Sequence, residues 1–244
     1  FYVMGFVEGR IFWNPALPEI GFSSGRAAIY DAMNATLAAL HDVDPAAVGL
    51  GDFGRPGNYF ERQFGRWTSQ YHASQTKPVP DMDRLIRWLE ENIPADDGVV
   101  SLVHGDYRLD NMIFAPDRPQ VLAVLDWELS TLGHPYADLA YQCMQWRLPH
   151  ESGFRGLGGV DRRSIGLPSE QDYVAAYCRR RGIDGIANWT FFVAFSFFRL
   201  AAICQGVYRR ALDGNASNPE KAKTYGEAAG LLSGLAMEMI DTGA

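Results

Sequence analysis

Residues 101–141, SLVHGDYRLDNMIFAPDRPQVLAVLDWELSTLGHPYADLAY, constrain this chain more than any other stretch. Two short apolar runs, 112–114 and 121–125, flank Ala115-Pro116-Asp117-Arg118-Pro119-Gln120. Apolar, β-branched runs on either side of a proline-rich turn predict a β-hairpin. Asn111 stands directly before the first run and Asp126 directly after the second. Antiparallel pairing therefore brings both to the open end of the ladder, roughly 5 Å apart. Asp106, five residues ahead of Asn111 on the incoming loop, adds a second carboxylate to the same mouth.

Mg²⁺ is a hard cation that takes oxygen ligands, usually one or two carboxylates completed by water and substrate phosphates. Asp126 and Asn111 suit it. Asp106 can then stay clear of the metal and accept the proton of an attacking hydroxyl, a division of labour that phosphoryl transfer requires.

The residues also carry a resemblance. His104-Gly105-Asp106-Tyr107-Arg108-Leu109-Asp110-Asn111 resembles the catalytic loop of the aminoglycoside phosphotransferase and choline kinase-like phosphotransferase family, in which HGD-x4-N stands where protein kinases have HRD-x4-N. Leu125-Asp126-Trp127-Glu128 stands in the place of DFG. Gly133-His134-Pro135-Tyr136-Ala137-Asp138-Leu139-Ala140 resembles the family's following Gly-x4-Asp-Leu-Ala helix. The nearest subgroup is the kinase-like domain associated with acyl-CoA dehydrogenases. An isolated HGD tripeptide is usually an ordinary turn; the ordered combination is far more specific.

The resemblance implies ATP and Mg²⁺ as cofactors and a role for each matched position. Asp106 is the general base, and Arg108 occupies the place of the lysine that touches the γ-phosphate in many protein kinases. Asn111 and Asp126 hold Mg²⁺, Asp138 braces the catalytic loop, and His104 is read as a structural histidine. Met4 lies near the gatekeeper place, Gly5 and Val7 offer hinge backbone groups to adenine, and Ile113 forms part of the adenine floor. Gly5 departs from the family's frequent Glu, which bears on hinge stiffness.

The fold class expected is α+β, a protein-kinase-like fold represented mainly by its helical C-terminal lobe, with one small hairpin at the site. Residues 1–9 are read as the last N-lobe strand and hinge, and 10–244 as the C-terminal lobe. That lobe carries the catalytic loop at 101–111, the metal-binding hairpin at 112–126 and substrate-side helices within 169–240. Because no glycine-rich loop or strand lysine precedes Phe1, the N-terminal lobe is expected to be largely absent. Residues 1–244 alone should then turn over negligibly, while a form longer by roughly 80 to 100 residues, the size of a small lobe, should be active. Gly49-Leu50-Gly51-Asp52-Phe53-Gly54 matches G-x-G-x-x-G but follows a helix end rather than a strand, so it is read as a surface loop, as is 153–159.

Elsewhere the pattern is helical. Ser23 or Ser24 is expected to cap a helix with Ile29, Met33, Leu37 and Leu40 on its apolar stripe. A second helix carries Phe60, Phe64, Trp67 and Tyr71, and a third Met82, Leu85, Ile86, Leu89 and Ile93. Ser169 opens a fourth that stops near Gly182, with Arg179-Arg180-Arg181 favouring its C-terminal dipole. Residues 189–208 are the most apolar, but Arg199 interrupts them, which favours a central buried helix over a membrane span. One last helix is expected from Pro219 to about Ile240.

With 47% apolar and 21% charged residues, the chain has ample material for a core. A net charge of −7 argues against a nucleic-acid or anionic-membrane surface. Cys143, Cys178 and Cys204 form no CxxC and are read as buried reduced thiols of a cytoplasmic protein. The partner expected is a small-molecule hydroxyl substrate, a hydroxyacyl thioester or other lipophilic alcohol. The apolar residues around Tyr2 and Met4 leave a homo-oligomer open. Two other readings stay open as well: a catalytically silent binding or scaffold module, and an aminoglycoside or choline-type kinase.

Overall fold

The computed structural model describes residues 5–243. In chain order these form α1 (Ser23–His41), α2 (Tyr59–Ser74), α3 (Pro80–Asn92), β1 (Ser101–Val103), β2 (Met112–Phe114), β3 (Val121–Val124), β4 (Thr131–Gly133), α4 (Tyr136–Cys143), α5 (Arg162–Ile165), α6 (Glu170–Arg181), α7 (Trp189–Leu212), α8 (Pro219–Lys223) and α9 (Ala228–Thr242). They divide into two compact units, residues 5–55 with 100–187 and residues 56–99 with 188–243.

The first unit carries both sheets. β1 pairs antiparallel with β4, placing Ser101 opposite Gly133 and Val103 opposite Thr131. β2 and β3 form the expected hairpin, with Met112 opposite Val124 and a register irregularity after Ile113. β3 ends at Val124, one residue short of the apolar run. Leu125 N–H donates to Asn111 O at 2.8 Å, so Leu125 faces Asn111 and Asp126 lies one position beyond. α1 packs along α6, and the Tyr30 ring meets Trp146 and Tyr173 edge-on at 5.5 and 6.2 Å. The stripe Ile29, Met33 and Leu37 is buried as its spacing requires, with Leu40 half-buried.

Three local expectations in this unit are corrected. α1 starts at Ser23 without a side-chain cap; extended Phe22 precedes it, and a Cβ on Gly25 would come within 2.6 Å of the Phe22 ring and 2.8 Å of Ile20, so apolar packing fixes the entry. Residues 5–9 form no strand. The first pairing is at Arg10, whose N–H and C=O each bond Phe114 at 2.8 Å; residues 1–4, Met4 among them, lie outside the described residues. The loop 153–159 is only partly superficial: Gly156 is buried, and a Cβ there would lie 1.8 Å from Leu148 O.

In the second unit α7 packs against α2, α3 and α9. Phe60 of α2 contacts Phe191, Phe192 and Phe195 of α7 at centroid distances of 5.0–5.6 Å. By length and composition α7 could cross a membrane, but 72% of its most apolar stretch is buried within the protein. The buried Arg199 guanidinium lies 5.7 Å from the Trp67 ring centroid. The expected last helix is broken: a 3₁₀ turn over Thr224–Glu227 separates α8 from α9. Gly226 passes so near the Tyr208 ring that a Cβ would sit 3.1 Å from it, and this close crossing coincides with the break.

Candidate active site

β1 delivers the chain into His104-Gly105-Asp106. Gly105 has φ +86°, and a Cβ there would lie 2.6 Å from Leu129 O, so only glycine fits without displacement. The amides of His104 and Gly105 both donate to Asp138, at 2.7 Å to Oδ2 and 2.8 Å to Oδ1. His104 is fully buried. Its Nε2 lies 2.8 Å from Leu125 O, which can only accept, so Nε2 carries the proton and Nδ1 is left to accept the Asp106 N–H at 3.2 Å. One imidazole thus ties the loop before the hairpin to the residue leaving it.

Asp106 is half-buried. Asn111 follows from a 3₁₀ turn over Leu109–Asn111, and its Nδ2 donates to Asp106 O and Asp106 Oδ2, both at 2.9 Å. Two acceptors facing one atom of the amide settle its orientation. Asn111 Oδ1 and Asp106 Oδ1 consequently have no hydrogen-bond partner among the described residues. Asp126 is exposed, holds a left-handed backbone at φ 66°, ψ 56°, and its carboxylate likewise bonds nothing among them.

These free atoms are all oxygens. Among the described residues no group of three or more His, Cys, Asp or Glu could hold a metal. Asp126 and Asn111 Oδ1 could offer one anionic and one neutral hard donor, the kind that suits Mg²⁺ completed by phosphate and water.

Arg108 is turned to its neighbour: Nε donates to Asp110 Oδ1 at 3.0 Å, and a second guanidinium N–H bonds Asp110 Oδ2. Burial works against the charged guanidinium, but Asp110, with Tyr141 and Asp106, holds its pKa above the ordinary value. Sequence reasoning missed Asp110 as its partner, although a two-residue separation allows the pairing. Ile113 is 9% exposed, and Gly9 passes so near that a Cβ there would lie 2.4 Å from Ile113 Cγ2. Gly5 and Val7 are exposed on the segment leading to that contact.

Two further residues, His41 and Tyr177, were given no role at the site by sequence reasoning. Asp138, 1% exposed, also receives His41 Nε2 at 3.3 Å, and His41 Nδ1 lies 2.7 Å from Tyr177 OH. A signal existed for His41: it extends the Met33–Leu37 stripe by four residues, onto a core face. A cavity of about 1050 Å³ opens beside α1 and α6, with Ala27, Asp31, Arg163 and Pro168 in its wall, but none of the expected site residues lines it.

Comparison with known proteins follows the same lines. The profile of the phosphotransferase enzyme family matches residues 1–178. Acyl-CoA dehydrogenase family member 10 of Mus musculus is 49% identical over 219 residues, 89% of this chain and 20% of that protein. The chain thus spans a fifth of that relative's length. A crystal structure described as a candidate aminoglycoside phosphotransferase of Ralstonia eutropha is 47% identical with a TM-score of 0.92, covering 97% of this chain and 71% of that one. A spectinomycin phosphotransferase solved with ADP and spectinomycin matches with a TM-score of 0.55 at 13% identity, covering 95% of this chain and 69% of that one, a likeness of fold alone.

Proposed function

The chain belongs to the phosphotransferase enzyme family, and we propose that it is a small-molecule kinase that moves the γ-phosphoryl group of ATP to a substrate hydroxyl. Its fold is the α+β, kinase-like fold of those enzymes, mainly helical with two small sheets. The observation that carries the reading is the set of three residues with unengaged side-chain oxygens, Asp106, Asn111 and Asp126, around a loop anchored from behind.

Asp106 Oδ1 is free to accept the proton of the acceptor hydroxyl, while Asn111 holds Oδ2 in place. The O–H bond breaks, the hydroxyl oxygen bonds phosphorus, and ADP leaves with the former bridging oxygen. Bound Mg²⁺, held by Asp126 and Asn111 Oδ1, would supply charge neutralisation of the phosphates. Arg108, which the resemblance places near the γ-phosphate, would have to leave or share its pairing with Asp110 to act there. Gly5, Val7 and Ile113 are the proposed adenine contacts, a reading supported by the close passage of Gly9 over Ile113.

For the acceptor we propose a hydroxylated acyl thioester or similarly lipophilic alcohol, in a cytoplasmic setting. The acyl-CoA dehydrogenase name of the mouse relative supports it. The test is ³¹P NMR of ATP·Mg²⁺ with a form longer at the N-terminus by roughly 80 to 100 residues and a panel of hydroxyacyl thioesters, simple alcohols, choline and aminoglycosides. The expected result is loss of the γ-phosphate signal and a new phosphomonoester with the thioesters. Nucleotide binding without transfer to any member would overturn the kinase reading in favour of a silent binding module.

A further inference from the structure

The carboxylate that holds the catalytic loop is itself held. Asp138 sits in the first turn of α4, His41 is the last residue of α1, and Tyr177 lies in α6, yet the three side chains form one buried line. From the geometry we infer that Tyr177 and His41 are positioning residues for the proposed phosphotransfer, acting through Asp138 on the His104 and Gly105 amides and so on Asp106.

The direction of each proton follows from what each group can do. Asp138 already accepts from two amides and, as a carboxylate, can only accept, so His41 Nε2 must carry the hydrogen it presents. In the neutral imidazole Nδ1 is then a bare lone pair, and the group facing it at 2.7 Å is the Tyr177 hydroxyl. Tyr177 O–H therefore donates to His41, and His41 N–H donates to Asp138. Burial pushes the Tyr177 pKa up, against a lowering by Arg181, so the hydroxyl keeps its proton at physiological pH. The line is complete with a neutral imidazole.

Each link restricts the next. The ring is also fixed from its backbone side, because Ser101 Oγ at the start of β1 donates to His41 O at 2.9 Å. Without the Tyr177 hydroxyl, Nδ1 would be a buried acceptor with no donor, and a change of tautomer would set a second lone pair against Asp138. Either way the ring shifts and Asp138 loses one of its three donors. The amides next to Asp106 then rest on a looser support, and misplacement by a fraction of an ångström is costly to phosphoryl transfer.

The inference rests on the kinase reading, and the experiment keeps the two apart. Hydrogen exchange of the peptide covering 101–111 needs no activity. Release of inorganic phosphate from ATP·Mg²⁺, with water standing in for the acceptor, reads the chemistry. Tyr177→Phe in the same N-terminally longer form should speed exchange in 101–111 and lower kcat by about tenfold, with KM for ATP unchanged and the thermal midpoint moved by only a few degrees. His41→Gln, whose amide can accept from Tyr177 and donate to Asp138, should keep most of kcat; His41→Leu should not. Wild-type exchange and kcat in Tyr177→Phe, or equal losses in His41→Gln and His41→Leu, would overturn the inference. If the wild type releases no phosphate while Tyr177→Phe still loosens 101–111, the anchoring stands and the kinase reading alone falls.

Discussion

Asp138 and Asp126 flank the same loop and could hardly be more different. Asp138 is 1% exposed and accepts from His104 N–H, Gly105 N–H and His41. Asp126 is exposed, bonds nothing among the described residues, and occupies a left-handed backbone. The saturated carboxylate fixes the loop through the His104 and Gly105 amides, while the unsaturated one keeps its oxygens unengaged. A functional constellation needs its groups held by supporting hydrogen bonds, and the contacts of Asp138 are of that kind.

The first way to break this contrast is to remove the saturated partner. Asp138→Ala strands three buried donors, and should lower stability by about 3 kcal/mol or more, read as a fall in the urea midpoint at constant m-value. A midpoint within error of wild type would mean that the three donors find water or other partners. Next in size is Asp106→Asn, which should leave the midpoint and ATP binding intact while slowing transfer roughly 10²-fold or more; an unchanged kcat would remove Asp106 from proton transfer.

Asp126→Asn is smaller again. Asparagine tolerates the left-handed backbone, so the fold is spared and only the charge goes. Nucleotide affinity should fall roughly tenfold or more in Mg²⁺, one carboxylate–cation attraction being worth about 1 kcal/mol or above, and stay level in EDTA. Calorimetric titration in both buffers checks it, and equal losses would make Asp126 a structural residue. The smallest effect is a control on the protein's surface. Asp31→Ala breaks the exposed ion pair with Arg180, and should change stability by no more than about 0.5 kcal/mol.

Much of this was legible in the sequence, for identifiable reasons. Apolar stripes such as Phe60, Phe64, Trp67 and Tyr71 follow the helical period and are all buried. Ser169 caps α6 through the Asp172 amide at 3.0 Å, and Gly182 ends it at φ 66°, as local chemistry requires. The three cysteines are buried and free, and burial pushes the Cys204 thiol up to about 12. What escaped was non-local. β1 and β4 are three residues each, too short to show a period, and pair across the whole hairpin. His41, Asp138 and Tyr177 meet across separations of 97 and 136 residues, which no window reveals. At the site, residue types pointed to Asp106, Asn111 and Asp126, but the free edge of the Asn111 amide follows only from where both its hydrogens go.

That amide also governs the charge of the mouth. With asparagine at 111, Asp106 and Asp126 contribute two negative charges, which the proposed divalent cation would neutralise. An aspartate there would raise the count to three and set an acceptor against Asp106 Oδ2 where a donor now stands at 2.9 Å. Like charges so close repel one another. In the proposed reading, a neutral residue 111 would let a proton acceptor and a cation ligand work at the same mouth without either disabling the other.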